Sequence, residues 1–131
     1  IANGGKLVTP HVAIIQPKST RVISSSTVAQ ITQMMIKAVE EGEAKWAKPA
    51  GYTIAGKTGT AQIPVAGHYD QDKTIASFVG FAPAHGPKFV MLVTLHEPTT
   101  SPWGSETAAP LWFEVAKELF RYWQIPPDKG I

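Results

Sequence analysis

A chain of 131 residues, 44% hydrophobic and 17% charged, suffices for one globular domain with its own core, is too short for two, and is neither a disordered nor a collagen-like polymer. Twelve basic residues stand against ten acidic ones, and the lysines are scattered rather than gathered on one stripe, which argues against nucleic acid as a partner. The absence of cysteine removes a disulfide scaffold, a thiol nucleophile and a cysteine zinc site together, and no apolar run approaches the roughly 18 residues that span a bilayer, so no membrane contact is expected from this segment.

The opening IANGG reads as the last turn of a helix closed by a glycine cap, which raises the expectation of a longer parent chain. KLVTPHVAIIQP is extended in character, and the prolines flanking HVAII limit that run to a short or edge strand. SSSTVAQITQMMIKAVEEG predicts a serine-capped helix with Val28, Ile31, Met35 and Val39 on one face and Gly42 as its stop. At that spacing Met34 and Met35 read as core filler rather than as a binding groove.

AKWAKPAG reads as a loop leading into YTIAGKTGTAQI, whose β-branched and aromatic content predicts a strand. The stretch PVAGHYDQDK is turn-rich, with Asp70 and Asp72 as solvated turn residues. TIASFVGFAP and KFVMLVTLHEP follow as two strands around the short AHGP turn. The last of these is almost wholly apolar, a pattern expected of a strand buried on both faces. In TTSPWGSETAAPLWFEVAKELFRYWQIPP a loop becomes a helix, with Pro110 in its first turn and Pro126 and Pro127 as its end. Its broad stripe of Trp112, Val115, Ala116, Leu119, Phe120 and Trp123 needs a sheet face to cover. The expected fold class is α+β, a three-stranded antiparallel meander covered by helices, and Glu114, Lys117, Glu118 and Arg121 form the wet face of the last helix.

GYTIAGKTGT, Gly51 to Thr60, carries two incompatible signals. Its first eight residues satisfy the phosphate-cradling pattern G-x-x-x-x-G-K-[ST], while Lys57-Thr58-Gly59 is the triplet of penicillin-recognising enzymes. A P-loop needs a buried strand before the first glycine and a helix near the lysine. Upstream, EGEAKWAKPA is polar and contains Pro49; downstream, Gly59, Pro64 and Gly67 interrupt any helix. The flanks therefore favour a strand, on which Lys57 and Gly59 alternate with Thr58 and Thr60. A cation, two hydroxyls and a glycine that permits close backbone approach suit a ligand carrying a carboxylate.

The succession IANGG, VEEGEAKWAKPAGYTIAGKTGTAQ, HYD, ASFVGFAP, an apolar strand ending in HEP, and AAPLWFEV resembles the C-terminal part of the transpeptidase domain of class B penicillin-binding proteins, over essentially all 131 residues. Where a typical member has Gly-Thr-Ala after the first long helix, this chain has Gly42-Glu43-Ala44. The resemblance implies a partial penicillin-binding/β-lactamase-like fold, of which residues 1–131 form the C-terminal portion. It further implies a serine D,D-transpeptidase that cross-links peptidoglycan stem peptides through an acyl-enzyme and binds β-lactams. On matching positions, Lys57 belongs to the active-site network, Thr58 and Thr60 bind the substrate carboxylate, and the Thr60 backbone N–H serves the oxyanion hole.

The family's other two motifs are absent. No lysine has a serine three positions before it, and the single asparagine, Asn3, lies too early for Ser-x-Asn. The nucleophile is therefore expected in a preceding part of the domain, anchored outside the cell membrane through a further N-terminal segment, and this chain alone is expected to be inactive. Ser24 to Ser26 read as a helix cap. Tyr69 and Trp103, in predicted loops beside the cleft, are candidates for the substrate groove or for plain core caps. His11, His68, His85 and His96 lack ligand spacing, so neither metal nor cofactor is expected. A β-lactamase or β-lactam sensor remains an alternative, as does a non-catalytic module that self-associates or binds partners through an open sheet edge.

Overall fold

A computed structural model describes residues 1–8, 19–65 and 67–129, with the side chains of Val65 and of residues 70–72 also set aside. The order is β1 (Lys6–Val8), β2 (Ser19–Arg21), α1 (Ser25–Glu40), a short 3₁₀ helix (Glu43–Ala47), β3 (Ala55–Val65), β4 (His68–Ala82), β5 (Phe89–His96) and α2 (Ala108–Tyr122). The strands β3, β4 and β5 form an antiparallel sheet in that order, which is the expected meander, and β1 pairs with β2 in a separate small ribbon. The strand expected at HVAII lies outside the described residues.

Helix α1 begins where the serines predict. Ser24 Oγ accepts the Thr27 N–H at 3.1 Å and also meets the hydroxyls of Ser26 and Thr27, so this cluster is engaged in capping. The buried face is carried by Thr32, Ile36 and Val39, with Val28, Ile31 and Met35 half-buried beside it. Gly42 lies past the helix end with ordinary dihedrals, and its role is spatial: a Cβ there would lie 2.2 Å from the Ala38 carbonyl oxygen. The segment read as the AKWAKPAG loop begins instead with the 3₁₀ helix, whose Ala44 is buried.

The two faces of the sheet differ. Phe78, Gly80 and Ala82 of β4, with Phe89, Met91, Val93 and Leu95 of β5, face α2. Trp112 and Phe113 are fully buried against them, and Trp112 Nε1 donates to the Met91 carbonyl at 2.9 Å, so the indole enters the core without an unpaired donor. Burying side chains of this size contributes about 1.5–3 kcal/mol each. The stripe of α2 therefore includes Phe113, while Val115 and Trp123 stay 38% and 48% exposed.

The opposite face corrects the expectation for β5. Its residues alternate between half-buried and exposed, and Val90 and Leu92 are 62% and 64% exposed. Among the described residues β5 pairs with β4 alone, and no element covers Val90 and Leu92, so its apolar composition exceeds what this chain buries.

Helix α2 ends before the prolines. Gln124 takes φ 50°, its N–H reaches the Arg121 carbonyl, and the Ile125 N–H reaches the Phe120 carbonyl at 2.9 Å. This is a Schellman closure with glutamine in the left-handed position, and it returns Ile125 to the core beside Phe120. The tail then crosses back: Asp128 Oδ1 accepts the Thr53 N–H at 2.7 Å, and Lys129 pairs with Glu40 at the end of α1. Among the described residues no helix is long and apolar enough to cross a membrane.

Candidate active site

Lys57, Thr58, Gly59 and Thr60 sit in succession on β3, an edge of the three-stranded sheet along which α1 packs. The backbone is extended and paired with β4 from Ala55 to Gln62 without interruption. A helix starting at Lys57 is incompatible with that pairing, so the G-x-x-x-x-G-K-T match is a coincidence of composition and not a P-loop.

Register fixes which neighbours share a face. Lys57 is opposite Val79 and Gly59 opposite Ser77, whereas Thr58 is opposite Phe78 and Thr60 opposite Ala76. Lysine and hydroxyls thus alternate, as a strand requires. Lys57 is exposed and folds back along the edge, its Nζ donating to Thr58 O at 3.0 Å and to Thr58 Oγ1 at 3.2 Å. Val39, Glu43, Ala44, Lys57, Thr58 and Phe78 help line a cleft of about 350 Å³ between α1, the 3₁₀ helix and β3.

The segment between β5 and α2 closes on the same strand. Gly104 donates its backbone N–H to Thr60 Oγ1 at 3.1 Å, and Trp103, the residue before it, is 56% exposed. Thr74 Oγ1 donates to the Pro102 carbonyl at 2.7 Å, and Ser105 Oγ donates to Glu43 Oε2 at 3.0 Å, tying the segment to β4 and to the 3₁₀ helix. Tyr69 lies elsewhere. It belongs to β4 rather than to a loop, opposite Pro64 at the far end of the β3–β4 hairpin, four residues and therefore roughly 13 Å along the strand from Thr60. The same hairpin places Asp70 and Asp72 on strand β4 instead of in a turn.

Gly104, Ser77 and Ser105 carry no motif, which is why spacing alone does not single them out. The one sequence sign is the turn-rich SPWGSET that contains Gly104, and its contact with β3 spans 44 residues.

Comparison with known proteins identifies the family of this fold. Residues 1–121 match the family model described as the penicillin binding protein transpeptidase domain. The probable peptidoglycan D,D-transpeptidase PenA of Neisseria flavescens is 34% identical over 119 residues, which cover 89% of this chain and 30% of that protein. Stage V sporulation protein D of Bacillus subtilis is 34% identical over 98% of this chain and 22% of its own length. The chain therefore spans less than a third of these relatives. Among solved structures, the apo TP domain of Burkholderia pseudomallei penicillin-binding protein 3 superposes with a TM-score of 0.84 at 31% identity, over 98% of this chain and 41% of that one. Penicillin-binding protein 3 of Mycobacterium tuberculosis complexed with ampicillin gives 0.74 at 32% identity, over 90% and 29%. With a match that takes in β3 and its Lys57-Thr58-Gly59 triplet, the chain belongs to the penicillin-binding protein transpeptidase-domain family.

Proposed function

We propose that this chain forms one wall of the active site of a serine-type peptidoglycan D,D-transpeptidase, the remainder of the domain supplying the nucleophile. The observation that carries the reading is the Lys57–Thr60 row on an edge strand within a chain of this family. The serine oxygen attacks the carbonyl carbon of the penultimate D-alanine of a stem peptide, and the terminal D-alanine leaves with a proton on its nitrogen. An amine of a neighbouring stem peptide then takes the acyl group, and the serine regains its proton. A β-lactam acylates the same serine by opening its ring.

In this scheme Lys57 supplies positive charge and a proton-bearing ammonium beside the nucleophile, and the Thr58 and Thr60 hydroxyls receive the terminal carboxylate. Gly59 lets the substrate backbone approach, the Thr60 N–H contributes to the oxyanion hole, and Trp103 borders the groove, whereas Tyr69, at the far end of the hairpin, takes no part in it. The Ser-x-x-Lys and Ser-x-Asn motifs lie outside residues 1–131, in a preceding part of the same domain, on the outer side of the cell membrane and behind an N-terminal anchor. That preceding part also covers the face bearing Val90 and Leu92. The isolated chain is inactive, and its open β5 edge and exposed apolar face favour either complementation by that part or self-association.

Incubation with a fluorescent penicillin tests the reading. The full domain that includes this segment is expected to label covalently and the isolated chain to stay unlabelled; a labelled isolated chain overturns the assignment of the nucleophile to another part.

A further inference from the structure

The geometry points to Gly104 as a positioning residue that turns the Thr60 hydroxyl into a hydrogen-bond donor for an anionic ligand. Its purpose rests on the transpeptidase reading above, whereas its geometry rests on the fold alone.

A threonine hydroxyl has one hydrogen and two lone pairs, and its role at a binding site depends on which of these a neighbour already occupies. At Thr60 the neighbour is a donor: the Gly104 N–H points into Oγ1 at 3.1 Å. That N–H takes up one lone pair and the hydroxyl hydrogen turns away from it, so the O–H of Thr60 is left free to donate outward. Two positions earlier the same logic recurs, because the Lys57 ammonium donates into Thr58 Oγ1 at 3.2 Å. Residues i and i+2 of a strand share a face about 6.6 Å apart, so the pair presents two outward O–H donors beside a cation. That arrangement suits a carboxylate and disfavours its neutral ester, which offers weaker acceptors and no charge.

Only glycine allows this contact. Gly104 is buried, and a Cβ there would lie 2.6 Å from Gly59 O and 2.7 Å from Ser77 O, both backbone atoms of the paired strands β3 and β4. Any side chain must lift the segment off the sheet and withdraw the N–H from Thr60. The direction of the N–H is held from both sides, by Thr74 on the Pro102 carbonyl and by the Ala109 N–H on the Gly104 carbonyl at 2.9 Å, within the first turn of α2. Helix α2, far from the lysine in sequence, thereby sets the polarity of one hydroxyl in the row.

The test compares acylation of the full-length transpeptidase carrying this segment by benzylpenicillin and by its methyl ester, in the wild type and in Gly104→Ala, Thr60→Val, Thr60→Ser and the Gly104→Ala/Thr60→Val pair. Loss of one hydrogen bond to a charged group corresponds to about a 10- to 100-fold effect, so Gly104→Ala and Thr60→Val are each expected to lower the acid-to-ester ratio of second-order rate constants by that factor. Thr60→Ser is expected to keep the ratio, and the double variant to fall no further than Thr60→Val alone. A wild-type ratio in Gly104→Ala, or additive losses in the pair, overturns the proposal. A wild type that reacts with neither compound overturns the transpeptidase reading instead. The contact itself is then read in the amide spectrum of the 131-residue chain: Thr60→Val is expected to move the Gly104 N–H resonance upfield and Thr60→Ser to leave it, and an unmoved resonance in Thr60→Val overturns the geometry.

Discussion

The ring of Phe78 lies so close over Gly56 that a Cβ on that glycine would sit 2.4 Å from Cζ. Gly80, the cross-strand partner of Gly56, leaves matching room under the same ring: a Cβ there would lie 2.9 Å from Phe78 Cε1 and 3.1 Å from Trp112 Cζ2. Phe78 in turn packs on Trp112 and Phe113 with centroid separations of 5.2 and 5.3 Å. The residue just before Lys57 is thus the point where the β3 edge seats on the aromatic core. Gly56→Ala is expected to lower the unfolding free energy by about 1–3 kcal/mol through overpacking, measured by urea unfolding followed by tryptophan fluorescence. An unchanged midpoint would mean that β3 is not seated on Phe78 in this way.

The C-terminal tail supplies a pH-sensitive tie. The side-chain hydrogen bond from Lys129 lowers the Glu40 carboxyl below its ordinary range; burial opposes this, and the charges of Lys129 and Lys48 add to it. A carboxylate with a depressed folded-state pKa contributes stability that is complete above its unfolded value, about 4.3, and is lost as pH falls through the folded value. Both partners are substantially exposed, at 39% and 33%, so the contribution stays below about 1 kcal/mol. Glu40→Gln is expected to remove that small component at pH 7 and to narrow the difference from the wild type below pH 4, as read by unfolding curves at a series of pH values.

Gln124 occupies a left-handed conformation, φ 50°, in which a side chain is penalised, while its N–H and that of Ile125 close the helix. Gln124→Gly is expected to raise stability by about 0.5–1 kcal/mol, the relief of strain exceeding the added chain entropy. A loss of stability on thermal unfolding would show that the glutamine side chain makes a compensating contact.

Much of this arrangement is legible in the sequence because local chemistry dictates it. Ser24 caps α1 as its neighbours require, the β-branched residues around Lys57 outweigh two glycines, and the aromatic stripe of α2 demands a sheet beneath it. Most of what escaped is set by partners distant along the chain. The exposure of Val90 and Leu92 depends on what covers the second face of the sheet, which their own pattern does not encode. The end of α2 comes from a left-handed glutamine rather than from the visible prolines. Gly104 reaches Thr60 across 44 residues, a contact invisible to any local window. At the site, the row from Lys57 to Thr60 was readable as a strand, whereas the element that packs against it was not.

The open edge gives a further expectation. Val79, Val90 and Leu92 lie exposed on one face, opposite α2, beside a strand, β5, whose outer edge has no partner among the described residues. Sedimentation of the isolated chain is expected to show concentration-dependent association, and Leu92→Lys to shift it toward monomer. A wild-type chain that remains monomeric at high concentration would contradict self-association.

The role of the lysine is the centre of the account, and one rate constant tests it most directly: that of acylation by benzylpenicillin in the complete domain, wild type against Lys57→Ala. A group that acts on the reacting centre through charge and hydrogen bonding is expected to cost about 10²–10³-fold when removed, with unfolding curves nearly unchanged because Lys57 is exposed. A rate equal to that of the wild type would contradict the claim that this strand forms a wall of the active site.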